Sequence, residues 1–152
     1  MPSVSLTYIY TLVALIAISS LLVLSFMVYA EGLRASSETR QLKNLIDSVA
    51  YEATELLTIT ITMNATSERL LAGPITIGSK QYWLRLRNSS DETWLEGGFG
   101  DMPIEGSAFI VHLPTEASAM GSYRAGYGAI HLKCYLSNDV PQLLLTDSYG
   151  GD

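Results

Sequence analysis

Charged side chains are absent from the first 30 residues of this 152-residue chain. The first charged residue is Glu31. One cysteine and two histidines exclude an internal disulfide framework and a multi-cysteine or His-rich metal cluster. The 9 basic residues are outnumbered by 15 acidic ones, and a net charge of −6 argues against nucleic acid as a partner. The common catalytic motifs G-x-S-x-G, H-E-x-x-H, the P-loop and the dinucleotide fingerprint are also missing. We therefore expect neither an enzyme nor a bound cofactor.

An uninterrupted apolar run occupies residues 4–30. It exceeds the roughly 20 residues that cross a bilayer as a helix, and Tyr8 and Tyr29 lie near its two ends, where interfacial aromatic residues belong. A buried core helix and a cleavable secretory signal are the alternatives. Core helices rarely stay uncharged for so long, and no basic residue precedes the run. The sequence therefore predicts a retained single-pass transmembrane anchor over residues 1–30.

Small and hydroxyl-bearing residues share one side of this predicted helix, at about 100° per residue. Small residues allow a second helix to approach closely, although an anchor also contains them by chance. The candidate helix-packing positions in the anchor are Thr7, Thr11, Ala14 and Ser25.

An amphipathic segment follows at residues 31–57. Its apolar residues recur three and four positions apart, which predicts a stalk helix with one apolar stripe. Two interpretations remain open: the stripe covers an edge of the chain's own domain, or it binds a partner helix. Under the second, Leu45→Asp or Val49→Asp should abolish docking and leave the rest folded. The helix-packing positions of this segment are Leu42, Leu45, Ile46 and Val49.

Strand-like patterns occupy residues 58–147. Strict alternation over Leu57–Met63 predicts a first strand, and short apolar runs between turn sequences predict several more. We expect an α+β fold, in which a long N-terminal helix precedes a small antiparallel β-sandwich, with a disordered tail at 148–152. The further predicted strands are Ile75–Ile77, Tyr82–Arg87, Thr93–Leu95, Ala108–Leu113, Ala129–Leu136 and Leu143–Leu145, with bends at Gly97–Gly100 and Ala125–Gly128.

Charge does not fix the side of the membrane that holds this head domain. Arg34 and Arg40 follow the anchor and no base precedes it, which favours a cytoplasmic head by the positive-inside rule. Sequons at Asn64 and Asn88, the possible glycosylation sites, favour an extracytoplasmic head instead.

Histidine and tryptophan supply the remaining candidates for binding. His112 and His131 fall on predicted strands and, with a carboxylate such as Glu105, have the residue types of a zinc site. Half-exposed strand histidines bonded to backbone are the plainer interpretation, so we expect no metal. A second group forms either a stacking surface for sugars or a partner, or part of the sheet packing, which we favour. Its members are Trp83, Trp94, Arg85 and Arg87.

The order of an uncharged helix, an amphipathic half and a small β domain resembles the archaeal type IV pilin and archaellin superfamily. The most similar members are membrane-anchored archaellum stator and accessory proteins. The resemblance lies in residues 4–30, the stripe Leu42–Leu57, the alternating Leu57–Met63 and the segment from Pro74 to Leu86. It implies a head outside the cytoplasmic membrane. The implied partners are the lipid bilayer, further copies or other pilin-like or archaellum subunits, and the cell-wall lattice.

A filament-forming pilin would carry a basic leader before its helix, and Met1-Pro2-Ser3-Val4 contains none. We therefore expect a membrane-anchored extracytoplasmic interaction or structural protein of an archaellum- or pilus-like cell-surface machine. A filament-forming subunit, with the apolar helix as the polymer core, is the alternative. A surface sensor or enzyme ranks third, since no convergent set of polar residues stands out.

Overall fold

The computed structural model describes residues 3–89, 92–102, 109–114 and 117–147. Over these residues one helix, α1 (Ser3–Met63), precedes seven strands. The expected α+β class is confirmed. By compactness the chain divides into two units, Met1–Glu38 and Thr39–Asp152. The strands are β1 (Ser67–Leu71), β2 (Tyr82–Asn88), β3 (Thr93–Phe99), β4 (Phe109–Leu113), β5 (Ser118–Arg124), β6 (Ile130–Ser137) and β7 (Val140–Asp147).

The seven strands form a hydrogen-bonded sheet in the order β1-β6-β7-β5-β2-β3-β4. Every pairing is antiparallel except that of β5 with β7. Strand β5 changes partner along its length, because residues 118–121 pair with β7 and residues 122–124 pair with β2. Gly121 lies at the change with φ +110°, and a Cβ there would collide with the Leu145 carbonyl oxygen. Only glycine combines this backbone conformation with so close an approach.

The core of the second unit lies between α1 and one face of the sheet. Apolar side chains of the helix from Leu42 to Leu57 join those of the strands in one buried cluster. The packing is close enough that a Cβ at Gly97 on β3 would lie 2.9 Å from Ile46 Cδ1 of the helix. At the sheet's edge, Arg69 of β1 donates to carboxylates of Glu52 and Glu55 on α1, which ties this strand to the helix.

The predicted strand at Leu57–Met63 is wrong, because α1 continues through this segment. Burial follows the helical period: Leu57 and Thr60 are buried, whereas Thr58 and Thr62 are exposed. The exposed threonines donate to the carbonyl oxygens four residues back, which satisfies their hydroxyls within a helix. Tertiary packing thus overrides the β-propensity of the alternating pattern. The helix ends at Met63, and the next residue, Asn64, has the φ of 49° that is typical of a left-handed helix cap.

Most of the other predicted strands are confirmed, and one is wrong. Segments 82–87, 93–95 and 130–136 lie in β2, β3 and β6, and 109–113 and 143–145 lie in β4 and β7. Ile75–Ile77 forms no strand. Only Ile77 takes part in β-pairing there, through an isolated bridge to Lys80. Residues 97–99 belong to β3 instead of forming a bend. Gly97 and Gly98 have no side chains, so Ile46, Leu84 and Trp83 pack directly against this part of the strand. The sequence did not predict strands β1 and β5. Ala108, Glu105 and the tail 148–152 lie outside the described residues.

Candidate membrane anchor and head-domain surface

The apolar segment of the first unit exposes its side chains on all sides. Every large hydrophobic side chain from Leu6 to Leu33 is at least half exposed, from 51% at Leu12 to 75% at Tyr8. Leaving such side chains in water costs roughly 1.5–3 kcal/mol each relative to burial. An apolar surface of this extent marks a site for membrane or protein contact. This helix lies near the N-terminus and is long and apolar enough to span a membrane.

Hydroxyl groups within this segment bond to the helix backbone. Thr11 Oγ1 donates to the Thr7 carbonyl oxygen at 2.8 Å, and Ser20 Oγ donates to the Ile16 carbonyl oxygen at 2.8 Å. In hydrocarbon an unpaired hydroxyl costs several kcal/mol, and these bonds remove that cost without a partner chain. The segment is therefore chemically suited to a lipid environment.

The candidate helix-packing positions in the anchor all lie on an exposed surface of α1. Thr11 is bonded to the carbonyl of Thr7, as above. Ala14 and Ser25 are both exposed. These positions are accessible to lipid or to another helix, and their role in packing stays a prediction.

The stripe of the amphipathic segment is occupied by the chain's own sheet. Leu42, Ile46 and Val49 are buried in the core cluster, and Leu45 is half-buried against it. The helix therefore packs on a face of its own domain, where the first of the two open interpretations expected it to cover an edge. Because Val49 is a core residue, Val49→Asp should destabilise the head instead of leaving it folded.

The outer face, which we define as the sheet face opposite α1, carries a charged and aromatic cluster on β2, β3 and β4. Cross-strand pairing sets Arg85 opposite Glu96, and sets Trp94 between Arg87 and His112. Arg85 Nε donates to Glu96 Oε1, and Arg87 Nη1 lies 3.9 Å from the same oxygen. Glu96 is only 5% exposed, so the two guanidinium groups compensate a buried charge.

The two tryptophans divide between packing and surface. Trp83 is 1% exposed, packs over Gly98 and has the Arg85 guanidinium 5.6 Å from its ring centroid. Its indole N–H is buried and has no hydrogen-bond partner among the described residues. Trp94 is half-buried, with its ring centroid 6.3 Å from that of His112. The packing interpretation is thus correct for Trp83, whereas Trp94 borders a shallow surface cleft of about 340 Å³.

Two buried tyrosines lie side by side on the neighbouring strands β2 and β5. The rings of Tyr82 and Tyr123 lie 6.2 Å apart, and their hydroxyls donate to the carbonyl oxygens of Pro74 and Gly128. Burial raises the pKa of both phenols above the ordinary value of about 10. These hydroxyls therefore stay protonated and fasten two loops to the sheet.

No metal site forms from the histidines where the structure describes the chain. His112 on β4 and His131 on β6 are separated in the sheet by β7, β5, β2 and β3. Each lies 3.5 Å from a single carboxylate, His112 from Glu92 and His131 from Glu68. Among the described residues no group of three or more His, Cys, Asp or Glu side chains could hold a metal ion.

The lone cysteine and the sequons have contrasting environments. Cys134 is fully buried in the core, and burial raises the pKa of its thiol. Asn64, at the end of α1, and Asn88, at the end of β2, are both exposed. Both asparagines are accessible for modification, and their use stays a prediction.

Sequence reasoning identified the arginines and tryptophans of the outer face but missed the role of Glu96. A signal was present, since the β2–β3 turn sets residues 85 and 96 at matching distances on its two sides. No protein-family model matches the chain, and neither a characterised protein nor a solved structure emerges as a relative.

Proposed function

We propose that this chain is a single-pass membrane-anchored interaction or structural protein of an archaellum- or pilus-like cell-surface machine. Residues 4–30 form the anchor in this proposal, and the unit from Thr39 onward is the head, held outside the cytoplasm. The function is binding, without catalysis. It is directed at neighbouring subunits and the cell-wall lattice.

The observation that carries the proposal is the surface of residues 6–30. All its large apolar side chains are exposed, no charge interrupts it, and its hydroxyls at Thr11 and Ser20 are bonded internally. A bilayer is the environment that removes this surface from water along its whole circumference. The cell-surface machine and the external head are supported by the resemblance of the chain's organisation to archaeal pilin-like proteins.

The anchor is tested by placing charge in its middle. We expect Leu15→Arg combined with Ile18→Arg to release the full chain from membranes washed with alkaline carbonate. Each arginine at the centre of a span costs about 2.5–3.5 kcal/mol on insertion scales. The matched control is Leu33→Arg, which changes an equally exposed leucine beyond the apolar run and should leave the chain in the membrane pellet. Equal release of wild type and both variants would overturn the anchor.

The orientation of the head is tested by labelling a surface cysteine. Ser79 is exposed in the head, whereas the native Cys134 is buried and serves as an unreactive background. In intact cells a membrane-impermeant maleimide should label Ser79→Cys and leave wild type unlabelled. Labelling of the variant only after the cells are lysed would contradict an external head.

A filament subunit is distinguished from an anchored accessory protein by mass and location. The proposal predicts full-length chain in washed membranes and none in sheared surface appendages. A shortened chain recovered with the sheared fraction would instead establish the apolar helix as the core of a polymer.

A further inference from the structure

The sheet ends in two edge strands, β1 and β4. Among the described residues β1 pairs with β6 alone and β4 pairs with β3 alone, so each strand has one edge without a partner there. Open edges present unpaired N–H and C=O groups that accept a further strand. Both edge strands are five residues long, which allows one to pair with the other along its full length.

The two edge strands have the same alternation of exposure. In β1 the side chains of Glu68 and Leu70 are exposed on the outer face, and Arg69 between them reaches toward α1. In β4 the side chains of Ile110 and His112 are exposed on the outer face, and the residues between and beside them pack against the core. Because a one-residue slip reverses the two faces, only alternate registers keep outer residues beside outer residues.

One antiparallel register aligns all five residues of both strands. It sets Leu70 opposite Ile110, so that two exposed apolar side chains cover each other. It also sets the Glu68 carboxylate opposite the His112 imidazole, an acid beside a base. Side chains directly opposite in an antiparallel pair lie about 4.5–5.5 Å apart at Cβ, and apolar or oppositely charged pairs there stabilise the pairing.

Strand direction selects between the ways in which two copies can meet. Following the pairings across the sheet, with β5 and β7 parallel and the rest antiparallel, β1 and β4 run in opposite directions. Two copies that face the same way therefore bring β4 of one and β1 of the next together as an antiparallel pair. An antiparallel pair between two β1 strands or two β4 strands instead needs one copy rotated by 180° about the normal to the sheet.

We propose that β4 of one copy adds to β1 of a second copy of this chain, extending the sheet from molecule to molecule. The side chains favour β1 with β4 over like strands, because an aligned β1–β1 pair would set Arg69 opposite Arg69 and Glu68 opposite Leu70. The contact uses different surfaces on its two sides, so it builds a row or a ring instead of a closed dimer.

The test uses cysteines at the two apolar positions in the full-length chain, embedded in membranes and treated with a short bifunctional thiol reagent. Leu70→Cys with Ile110→Cys in one chain should give a ladder of cross-linked oligomers. Pairing raises the local concentration of the two thiols, so we expect about tenfold more product than from the control. The control is Leu70→Cys with Val140→Cys, which has equally exposed positions that the proposed contact does not bring together.

Single variants distinguish the strands involved. Leu70→Cys mixed with Ile110→Cys should give a cross-linked dimer, whereas each variant alone should give none. A dimer from Leu70→Cys alone, or a ladder no stronger than that of the control, would overturn the proposed contact. Wild type, with only the buried Cys134, sets the background.

The outcome also distinguishes this contact from the anchor. Chain that resists carbonate but shows no β1–β4 cross-link refutes the contact and leaves the anchor standing. A specific cross-link between chains that carbonate releases from membranes supports the contact and refutes the anchor. All three cysteine positions are exposed, so unchanged thermal melting of the variants is the check that their heads are folded.

Discussion

Between Leu6 and Leu33, α1 exposes its large apolar side chains all round, whereas between Leu42 and Thr60 it buries them along one stripe. Leucine, isoleucine and valine supply most of the large apolar side chains in both segments. The second segment differs in having charged residues between its apolar ones, which confines the apolar surface to the side that meets the sheet. The pattern of charge, more than hydrophobicity itself, separates the two environments.

This difference shows what each segment requires. The second segment obtains its burial from the chain's own strands, so its stability is set by packing within the head. The large apolar side chains of the first segment are exposed among the described residues, and an apolar environment such as a bilayer would bury them. Each of the following predictions changes one side of this comparison and leaves the other intact.

The largest effect is expected from a charge in the buried stripe. Val49→Asp places a carboxylate at a position that is 1% exposed, and we expect the head to lose about 4 kcal/mol or more of its free energy of unfolding. Tyr51→Asp, on the exposed side of the same turn, should be nearly neutral. Thermal melting followed by near-ultraviolet circular dichroism checks both. A folded Val49→Asp head would break the distinction between the two segments.

A smaller effect is expected where the helix meets β3. Gly97→Ala adds a Cβ 2.9 Å from both Ile46 Cδ1 and Leu84 Cδ2, and overpacking of this kind costs about 1–3 kcal/mol. Removing Cδ1 by Ile46→Val should offset part of that loss, so the double variant should be more stable than the sum of the two single changes predicts. Denaturant unfolding of the four chains measures the coupling. Strict additivity would mean that helix and strand are not in close contact.

The buried tyrosines predict a loss of stability in alkali. Since burial raises the pKa of Tyr82, the folded state keeps its proton while the unfolded state loses it above about pH 10. The free energy of unfolding should therefore fall as pH rises above that value. Tyr82→Phe should make the fall shallower, at a cost near neutral pH of about 1 kcal/mol for the lost bond to Pro74. Tyr127→Phe, at an exposed tyrosine, is the matched control for the loss of a hydroxyl group.

The smallest and most local effect concerns the edge strand. Arg69→Met removes the ion pairs to Glu52 and Glu55 that tie β1 to α1. Backbone amides of β1 should then exchange hydrogen faster, while those of β2 and β3 keep their protection. A uniform rise in exchange across the head would show that the pair stabilises the whole fold and not its edge.

The helix and much of the sheet followed from the sequence because their signals are local. The uncharged run, the stripe from Leu42 and the alternation at 82–87 each specify an element without reference to the rest of the chain. The prediction for Leu57–Met63 was wrong because alternating threonines are typical of a strand. Burial of Leu57 and Thr60 against the sheet favours the helix, and this packing cannot be read from the local sequence.

Strands β1 and β5 could not be predicted because neither carries a β-branched residue. Both are specified by pairing with distant segments, β1 with β6 and β5 with β7 and β2. The outer-face cluster was predicted in part. Arg85 and Trp94 stand out in the sequence, but the burial of Glu96 between two arginines depends on the β2–β3 register.

The most direct test of the membrane anchor is a cysteine scan along α1 in membranes, read by a water-soluble maleimide. Single cysteines at Leu15, Val23, Leu33 and Ser48 all occupy exposed positions of the helix. The anchor predicts that cysteines at Leu15 and Val23 stay unlabelled in membranes and react once detergent and denaturant are added, while those at Leu33 and Ser48 react throughout. Equal labelling of all four in membranes would contradict it.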